Sequence, residues 1–171
     1  MIPTLLRRIA APVEAGCLLL GGVCLLYMVF VVAFNVLARI IFDVSDTGVN
    51  MMIPGAIEQV SYLLGIVALA ALAASLKEGM IAVDFVVERL PDLPRALVAR
   101  LWFLGVVVLA MVLAWLFWED AHATYLRGEE TQDLRIPMFL IFGLYALQCL
   151  ALAIIALREA FTSEGRHGEL A

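Results

Sequence analysis

The chain has 171 residues, of which 64% are hydrophobic and 16% are charged, and its mean hydropathy is +1.02. Soluble domains are about half apolar and a quarter charged, so this composition excludes a soluble globular protein and indicates an integral membrane protein. The net charge of −5 provides no basic surface to neutralise phosphates, which argues against a nucleic-acid partner. The apolar runs are much longer than β-strands, so we predict an all-α membrane fold.

The first predicted span covers residues 15–42. Its apolar run is too long for the core of a signal peptide, so we predict a transmembrane helix that is retained in the mature protein. The polar end of this helix carries Asn35 and Arg39 on one face, about one helical turn apart. The short connection that follows contains acidic residues and no Lys or Arg.

The second predicted span covers residues 54–77, and no charge lies between Glu58 near its start and Lys77 at its end. At a rise of about 1.5 Å per residue these two charges lie about 29 Å apart, which matches a hydrocarbon core about 30 Å thick. Small side chains between them predict close packing against protein on more than one side. These small residues are Gly65, Ala68, Ala70, Ala71, Ala73, Ala74 and Ser75. We therefore expect the chain to be organised around the stretch 54–91, which holds this helix and the amphipathic segment that follows it.

Residues 79–90 have an apolar line and an acidic line at helical spacing, which predicts a short amphipathic helix on the membrane surface. Asp84 belongs to its polar face. The third predicted span, residues 95–118, has tryptophans at both ends, as is typical of membrane interfaces. A polar loop is expected at 119–135, and the fourth span at 136–158.

These four spans predict a single membrane domain over residues 1–171, with both termini on the same side of the membrane. Eight basic residues fall on the side of the termini and of the middle connection, and three fall on the other side. Because cytoplasmic loops carry the excess of Lys and Arg, we expect both termini in the cytoplasm.

Arg39 and Glu58 are predicted to lie at the same membrane face, close enough to meet across a short connection. Two interpretations remain open: a substrate or ion site, or a clamp between helices or docking contact with another subunit. We favour the clamp or docking contact, because lone charges are tolerated near the interface. Asn35 either bonds across helices or serves as a partner for the arginine.

The side chains that carry chemistry in other proteins are sparse here. Glu119, Asp120 and His122 are possible metal ligands, but three donors from one helix end seldom complete a site, so we expect no metal, cofactor or catalytic site. No histidine lies within a predicted span, which excludes bis-histidine haem, and the span interiors lack the ionisable groups of an autonomous transporter. A scaffold or accessory subunit is favoured. The alternatives are a membrane anchor of a redox complex and a small autonomous exporter.

Four segments resemble, in their order and spacing, the small membrane subunit of TRAP transporters (tripartite ATP-independent periplasmic transporters, the DctQ-like family). The segments are 35–42 (NVLARIIF), 58–65 (EQVSYLLG), 76–84 (LKEGMIAVD) and 89–91 (RLP). The chain departs from the family pattern in three places: Lys77 stands where an arginine is usual, Met80 stands where a histidine is often found, and Ile53-Pro54 stands where an aromatic residue commonly precedes Glu58.

The resemblance implies a multi-pass protein of a bacterial or archaeal inner membrane. Its partners would be a larger, many-span membrane subunit that holds the substrate and sodium sites, and a periplasmic solute-binding protein that delivers the solute, often an organic acid. The chain itself would act as a scaffold in ion-gradient-driven uptake. The residues given structural or subunit-docking roles are Asn35, Arg39, Glu58, Tyr62, Gly65, Lys77 and Asp84.

Overall fold

The computed structural model describes residues 2–45, 51–76 and 92–162. They form four α-helices: α1 (Ile2–Val44), α2 (Ala56–Ser75), α3 (Asp92–Arg127) and α4 (Met138–Thr162). Each helix contains an apolar stretch long enough to cross a membrane, and the described residues form no β-strand. The predicted all-α fold with four spans is confirmed. The amphipathic helix predicted at 79–90 lies outside the described residues.

α1 and α3 extend beyond the spans predicted for them. α1 begins at Ile2, and α3 continues through residues 119–127, which we expected to belong to a polar loop. That expectation was wrong because a charge-free run marks only the part of a helix that fits the hydrocarbon, whereas the backbone hydrogen bonds continue equally well in water.

The end of α3 is set by Gly128, which has a φ of 62°. The N–H of Gly128 donates to the carbonyl of Tyr125 at 3.2 Å, and the N–H of Glu129 donates to that of Thr124 at 3.1 Å. These two bonds form a Schellman motif, in which a left-handed glycine closes the helix and satisfies its last carbonyls.

α4 is the central helix of the described bundle. It packs against α1, α2 and α3, whereas the contacts of α3 with the other described helices are with α4 alone. The expectation that α2 packs against protein on more than one side is confirmed, because α2 contacts both α1 and α4. The stretch 54–91, expected to organise the chain, lies partly outside the described residues. Among the described helices, α4 and not α2 contacts all the others. Small residues permit close approach on any helix, and they do not reveal how many neighbours that helix has.

Small side chains bring the helix backbones close together. A buried cluster joins all four helices and consists of Cys17, Ala73, Ala110, Leu152, Ala153 and Ile155. Where α1 crosses α2, a Cβ atom added to Gly21 would lie only 2.7 Å from the Cβ of Ala70. Such contacts are typical of helix packing in lipid, where there is little hydrophobic drive between helices and dispersion at short range dominates.

Large apolar side chains point outward along every helix. Leu19, Ile57, Trp115 and Leu147, one from each helix, are all more than half exposed. In water this surface would cause aggregation. In a bilayer it is the surface that meets the acyl chains, so the exposure agrees with a membrane-spanning bundle.

Candidate functional site

Glu58 in the first turn of α2 binds the connection between α3 and α4. One carboxylate oxygen accepts a hydrogen bond from the N–H of Gln132 at 2.8 Å, and the other accepts one from the N–H of Asp133 at 3.0 Å. Successive backbone N–H groups form a concave nest for anions, and hydrogen bonds to an ionised acceptor are stronger than neutral ones. Glu58 therefore ties the start of α2 to a segment more than 70 positions away.

The connection that Glu58 binds has a defined structure of its own. The N–H of Thr131 donates to the carbonyl of Ile136 at 2.9 Å, and the hydroxyl of Thr131 accepts from the N–H of Ile136 at 3.0 Å. Gly55, which precedes α2 and has a φ of 65°, packs directly on it: an added Cβ would lie 2.9 Å from the Cβ of Asp133. A left-handed conformation and the lack of space both favour glycine at this position.

The predicted ion pair between Arg39 and Glu58 is not formed. Both carboxylate oxygens of Glu58 bind the α3–α4 connection, and within the described part of the chain no ion pair involves Arg39. The described hydrogen bond of Asn35 follows neither of its two interpretations: its Oδ1 accepts from the N–H of Ile53, in the segment just before α2, at 3.2 Å. Asn35 thus fixes the approach to α2, and Arg39 remains exposed at the end of α1.

A polar seam joins α2 to α4 inside the membrane-spanning region. The hydroxyl of Tyr145 donates to the carbonyl of Tyr62 at 2.7 Å, and the amide nitrogen of Gln148 donates to the carbonyl of Ile66 at 3.1 Å. The Tyr145 ring lies against Gly65, where an added Cβ would be 2.5 Å from the hydroxyl oxygen. Tyr145 therefore contacts both predicted residues: its hydroxyl bonds to the carbonyl of Tyr62, and its ring occupies the space left by the missing side chain of Gly65.

A comparison with models of protein families shows the family of the chain, and the matched region contains most of the residues that make these contacts. The family model "Tripartite ATP-independent periplasmic transporters, DctQ component" matches residues 28–164. The chain belongs to this family. The resemblance seen in the four sequence segments is thereby confirmed. Comparison with curated proteins and with solved structures gives no match.

The DctQ match extends from the middle of α1 to the end of α4 and includes every contact of Glu58, Asn35 and Gly65 described above. DctQ proteins are components of transporters and are not an enzyme family. Together with four apolar helices, membership identifies a multi-pass membrane component of a tripartite transport system.

Sequence reasoning missed an ion-pair cluster at the opposite end of the DctQ bundle. Arg158 of α4 lies 2.9 Å from Glu14 of α1 and 2.6 Å from Glu159, and its side chain is only 7% exposed. A signal was present: Glu14 immediately precedes the apolar run of α1, and Arg158 immediately follows that of α4. In a four-span topology these positions lie at the same membrane face, so opposite charges there can pair.

The structure does not indicate a role for several of the candidate residues. Lys77 and Asp84 lie outside the described residues. Glu119, Asp120 and His122 line an open cavity of about 490 Å³ on α3, beside two tryptophans. Among the described residues no group of three or more His, Cys, Asp or Glu side chains is arranged to hold a metal ion.

Proposed function

We propose that this chain is the small permease subunit of a TRAP-type uptake system and acts as a fixed scaffold for the large membrane subunit. The observation that carries the proposal is the use of polar side chains within the bundle. Tyr145 and Gln148 donate to backbone carbonyls of α2, and Glu58 accepts from backbone N–H groups. These hydrogen bonds hold helices and connections in place, as a rigid support requires, although the buried Oε1 of Gln148 has no partner among the described residues.

The face of α2 that points away from the bundle is the proposed docking surface for the large subunit. Side chains at steps of four and three are exposed there, while Ile66, Ala70 and Ala73 are buried on the other side. The exposed residues of this surface are Leu64, Ala68, Ala71 and Ser75. Three of them are small enough to let another helix approach closely.

The predicted residues divide between two roles in this proposal. Asn35, Glu58, Tyr62 and Gly65 hold the chain's own helices and connections in place through the contacts described above. Docking roles for Arg39, Lys77 and Asp84 stay predictions, since no contact of theirs within the described residues supports one.

The sites for solute and coupling ion then belong to other chains. We propose a larger, many-span membrane subunit that couples uptake to an ion gradient, and a soluble periplasmic protein that delivers the solute, which we expect to be an organic acid. The tripartite architecture named by the family supports these partners. We place the complex in the inner membrane, with both termini of this chain in the cytoplasm.

A pair of leucine substitutions tests the docking surface. Ala71→Leu adds bulk to the exposed stripe of α2, so we expect lower recovery of the two-subunit complex and a maximal transport rate that falls in parallel. Gly105→Leu is the matched control, because Gly105 is exposed on α3, and the described residues of α3 make no contact with those of α2. We expect it to leave recovery unchanged.

The measurements are copurification of the large subunit in mild detergent and uptake by reconstituted vesicles. A scaffold predicts an unchanged apparent affinity for the solute in both variants. If a substitution in this chain altered solute preference while the complex stayed intact, the scaffold proposal would be wrong.

A further inference from the structure

An open groove of about 290 Å³ lies between α1 and α2 at the end where Arg39 leaves the apolar run. Its lining residues are Val32, Asn35, Val36, Arg39, Ala56, Ile57, Val60 and Ser61. Most of the wall is aliphatic, and Val36 and Ile57 are more than half exposed. The groove is therefore accessible from the acyl-chain region of the bilayer.

At the mouth of this groove, the positive charge of Arg39 has no ion-pair partner among the described residues. Its side chain is exposed, and the acid expected to pair with it, Glu58, binds the α3–α4 connection instead. The Oδ1 of Asn35 already accepts from Ile53, and the hydroxyl of Ser61 donates to the carbonyl of Ile57 at 2.8 Å. The guanidinium is the charged group of the groove lining, and it faces a ligand.

The charges at this end of α1 follow a defined order along the membrane normal. Arg39 is the first charged residue after the apolar run of α1, and Asp43 follows four positions later, exposed, near the end of the helix. Four residues correspond to about 6 Å along the axis. In the protein, the positive charge lies at the edge of the hydrocarbon and the negative charge lies one turn further toward water. A phospholipid headgroup that ends in an ammonium group has the opposite order, since its negative phosphate lies deeper than its positive ammonium.

We propose that this groove binds a phospholipid whose headgroup ends in a primary ammonium group. The phosphate accepts hydrogen bonds from the guanidinium of Arg39, whose planar fork suits phosphate oxygens. The ammonium pairs with the Asp43 carboxylate, and one acyl chain packs along Val32, Val36 and Val60. A carboxylate from a protein partner would satisfy Arg39 but would add a second negative charge close to Asp43, so the lipid is the better complement.

The test uses the purified full-length chain in detergent, with binding followed by native mass spectrometry. The probes are phosphatidylethanolamine, phosphatidylcholine and phosphatidylglycerol with identical acyl chains. We expect tightest binding of phosphatidylethanolamine, and we expect Arg39→Gln to weaken it about tenfold, the factor for losing one hydrogen bond to a charged group. Asp43→Asn should abolish the preference for ethanolamine over choline while phosphate-dependent binding remains.

The matched control is Arg127→Gln, which removes an exposed arginine beside the α3–α4 connection that is ion-paired to Glu129. We expect this variant to bind all three lipids as the wild type does. Equal lipid binding by wild type and Arg39→Gln would overturn the proposal. If that variant also lost the large subunit on copurification, the ligand of Arg39 would be a protein carboxylate. Because lipid binding is measured without the large subunit, its failure leaves the scaffold function untouched.

Discussion

Gly65 lies under the ring of Tyr145, so the side chain at this position decides how closely α2 and α4 approach. Gly65→Ala places a methyl group where the hydroxyl and ring carbons of Tyr145 now lie. Overpacking of this kind costs about 1–3 kcal/mol. We therefore expect a lower free energy of unfolding and loss of the hydrogen bond from Tyr145 to the carbonyl of Tyr62.

Denaturant unfolding in detergent micelles, with Gly105→Ala as the control, measures this effect. A Cβ at Gly105 meets no atom within 4 Å, and alanine is a better helix former than glycine by about 1 kcal/mol, so the control should be neutral or stabilising. Equal effects of the two substitutions would mean that the seam between α2 and α4 is looser than described.

Glu58 leads to a second prediction, on the α3–α4 connection. Glu58→Gln removes the negative charge that two backbone N–H groups share, so we expect faster hydrogen exchange at the amides of Gln132 and Asp133. Hydrogen bonds to charged groups contribute about 1.5–3 kcal/mol each. Glu130→Gln is the control, since Glu130 is exposed on the same connection. Unchanged protection of both amides in Glu58→Gln would contradict the contact.

The same carboxylate allows a test of whether Arg39 and Glu58 interact at all. Because the structure forms no ion pair between them, Arg39→Gln and Glu58→Gln should have additive effects on stability, within about 0.5 kcal/mol. A double-mutant cycle measures this directly. A coupling well above that range would restore the pair expected from the sequence.

The sequence pointed to Asn35, Glu58, Tyr62 and Gly65, but it did not reveal their partners. The motif and the position at a helix end were enough to select the residues. Their contacts depend on segments far away in the chain: Gln132 is 74 positions from Glu58, and Tyr145 is 83 positions from Tyr62. No local pattern encodes such a pairing, so proximity across a short connection favoured the wrong partner for Glu58.

At the scale of helices, Arg158 links the two that are farthest apart in sequence. Its ion pair with Glu14 joins α1 to α4, a second pairs it with Glu159 on α4 itself, and its side chain is almost fully buried. Removing one partner of a buried ion pair leaves an uncompensated charge and costs about 3–5 kcal/mol. We expect Arg158→Gln to destabilise the bundle by that order, and Arg158→Lys to recover only part of the loss, because lysine lacks the planar fork.

Thermal unfolding of the detergent-solubilised chain distinguishes this role from that of a surface charge. Arg127→Gln is again the matched control: its ion pair with Glu129 is exposed, and such pairs contribute about 0–1 kcal/mol. If Arg158→Gln were as mild as Arg127→Gln, the cluster would not hold α1 against α4.

The number of helices could be predicted from the sequence, whereas their ends and neighbours could not. Charge-free runs located all four spans because the energetic cost of charge in hydrocarbon marks them directly. The end of α3 was misplaced, although Gly128 carries a recognisable helix-stop signal. The central position of α4 was not evident, because hydropathy is the same whether a helix faces lipid or protein. The small buried residues along α4 indicate its central position only when the contacts of the helix are known. Examples are Ala146, Ala153, Ala156 and Ala160.

For the whole molecule, the contact of Glu58 with Gln132 determines which connections share a membrane face. It joins the start of α2 to the α3–α4 connection, so the α1–α2 and α3–α4 connections lie at one end of the bundle. The ion pair of Arg158 with Glu14 lies at the other end, between the first part of α1 and the last part of α4. This arrangement agrees with four spans crossing in alternate directions, and it leaves open only which end faces the cytoplasm.

The basic residues predict that orientation, and cysteine labelling tests it. By sequence, eight of the eleven Lys and Arg residues fall in the segments predicted on the side of the termini, so we expect that side in the cytoplasm. In intact cells a membrane-impermeant maleimide should label Glu130→Cys, which is exposed on the α3–α4 connection, and should label Asp92→Cys only after the membrane is opened. The native cysteines lie within the spans and provide the background. Labelling of Asp92→Cys from outside, with Glu130→Cys protected, would show that the bundle is inserted the other way round. The docking face of α2 would keep its depth in that case, but the α3–α4 connection held by Glu58 would face the cytoplasm, out of reach of a periplasmic binding protein.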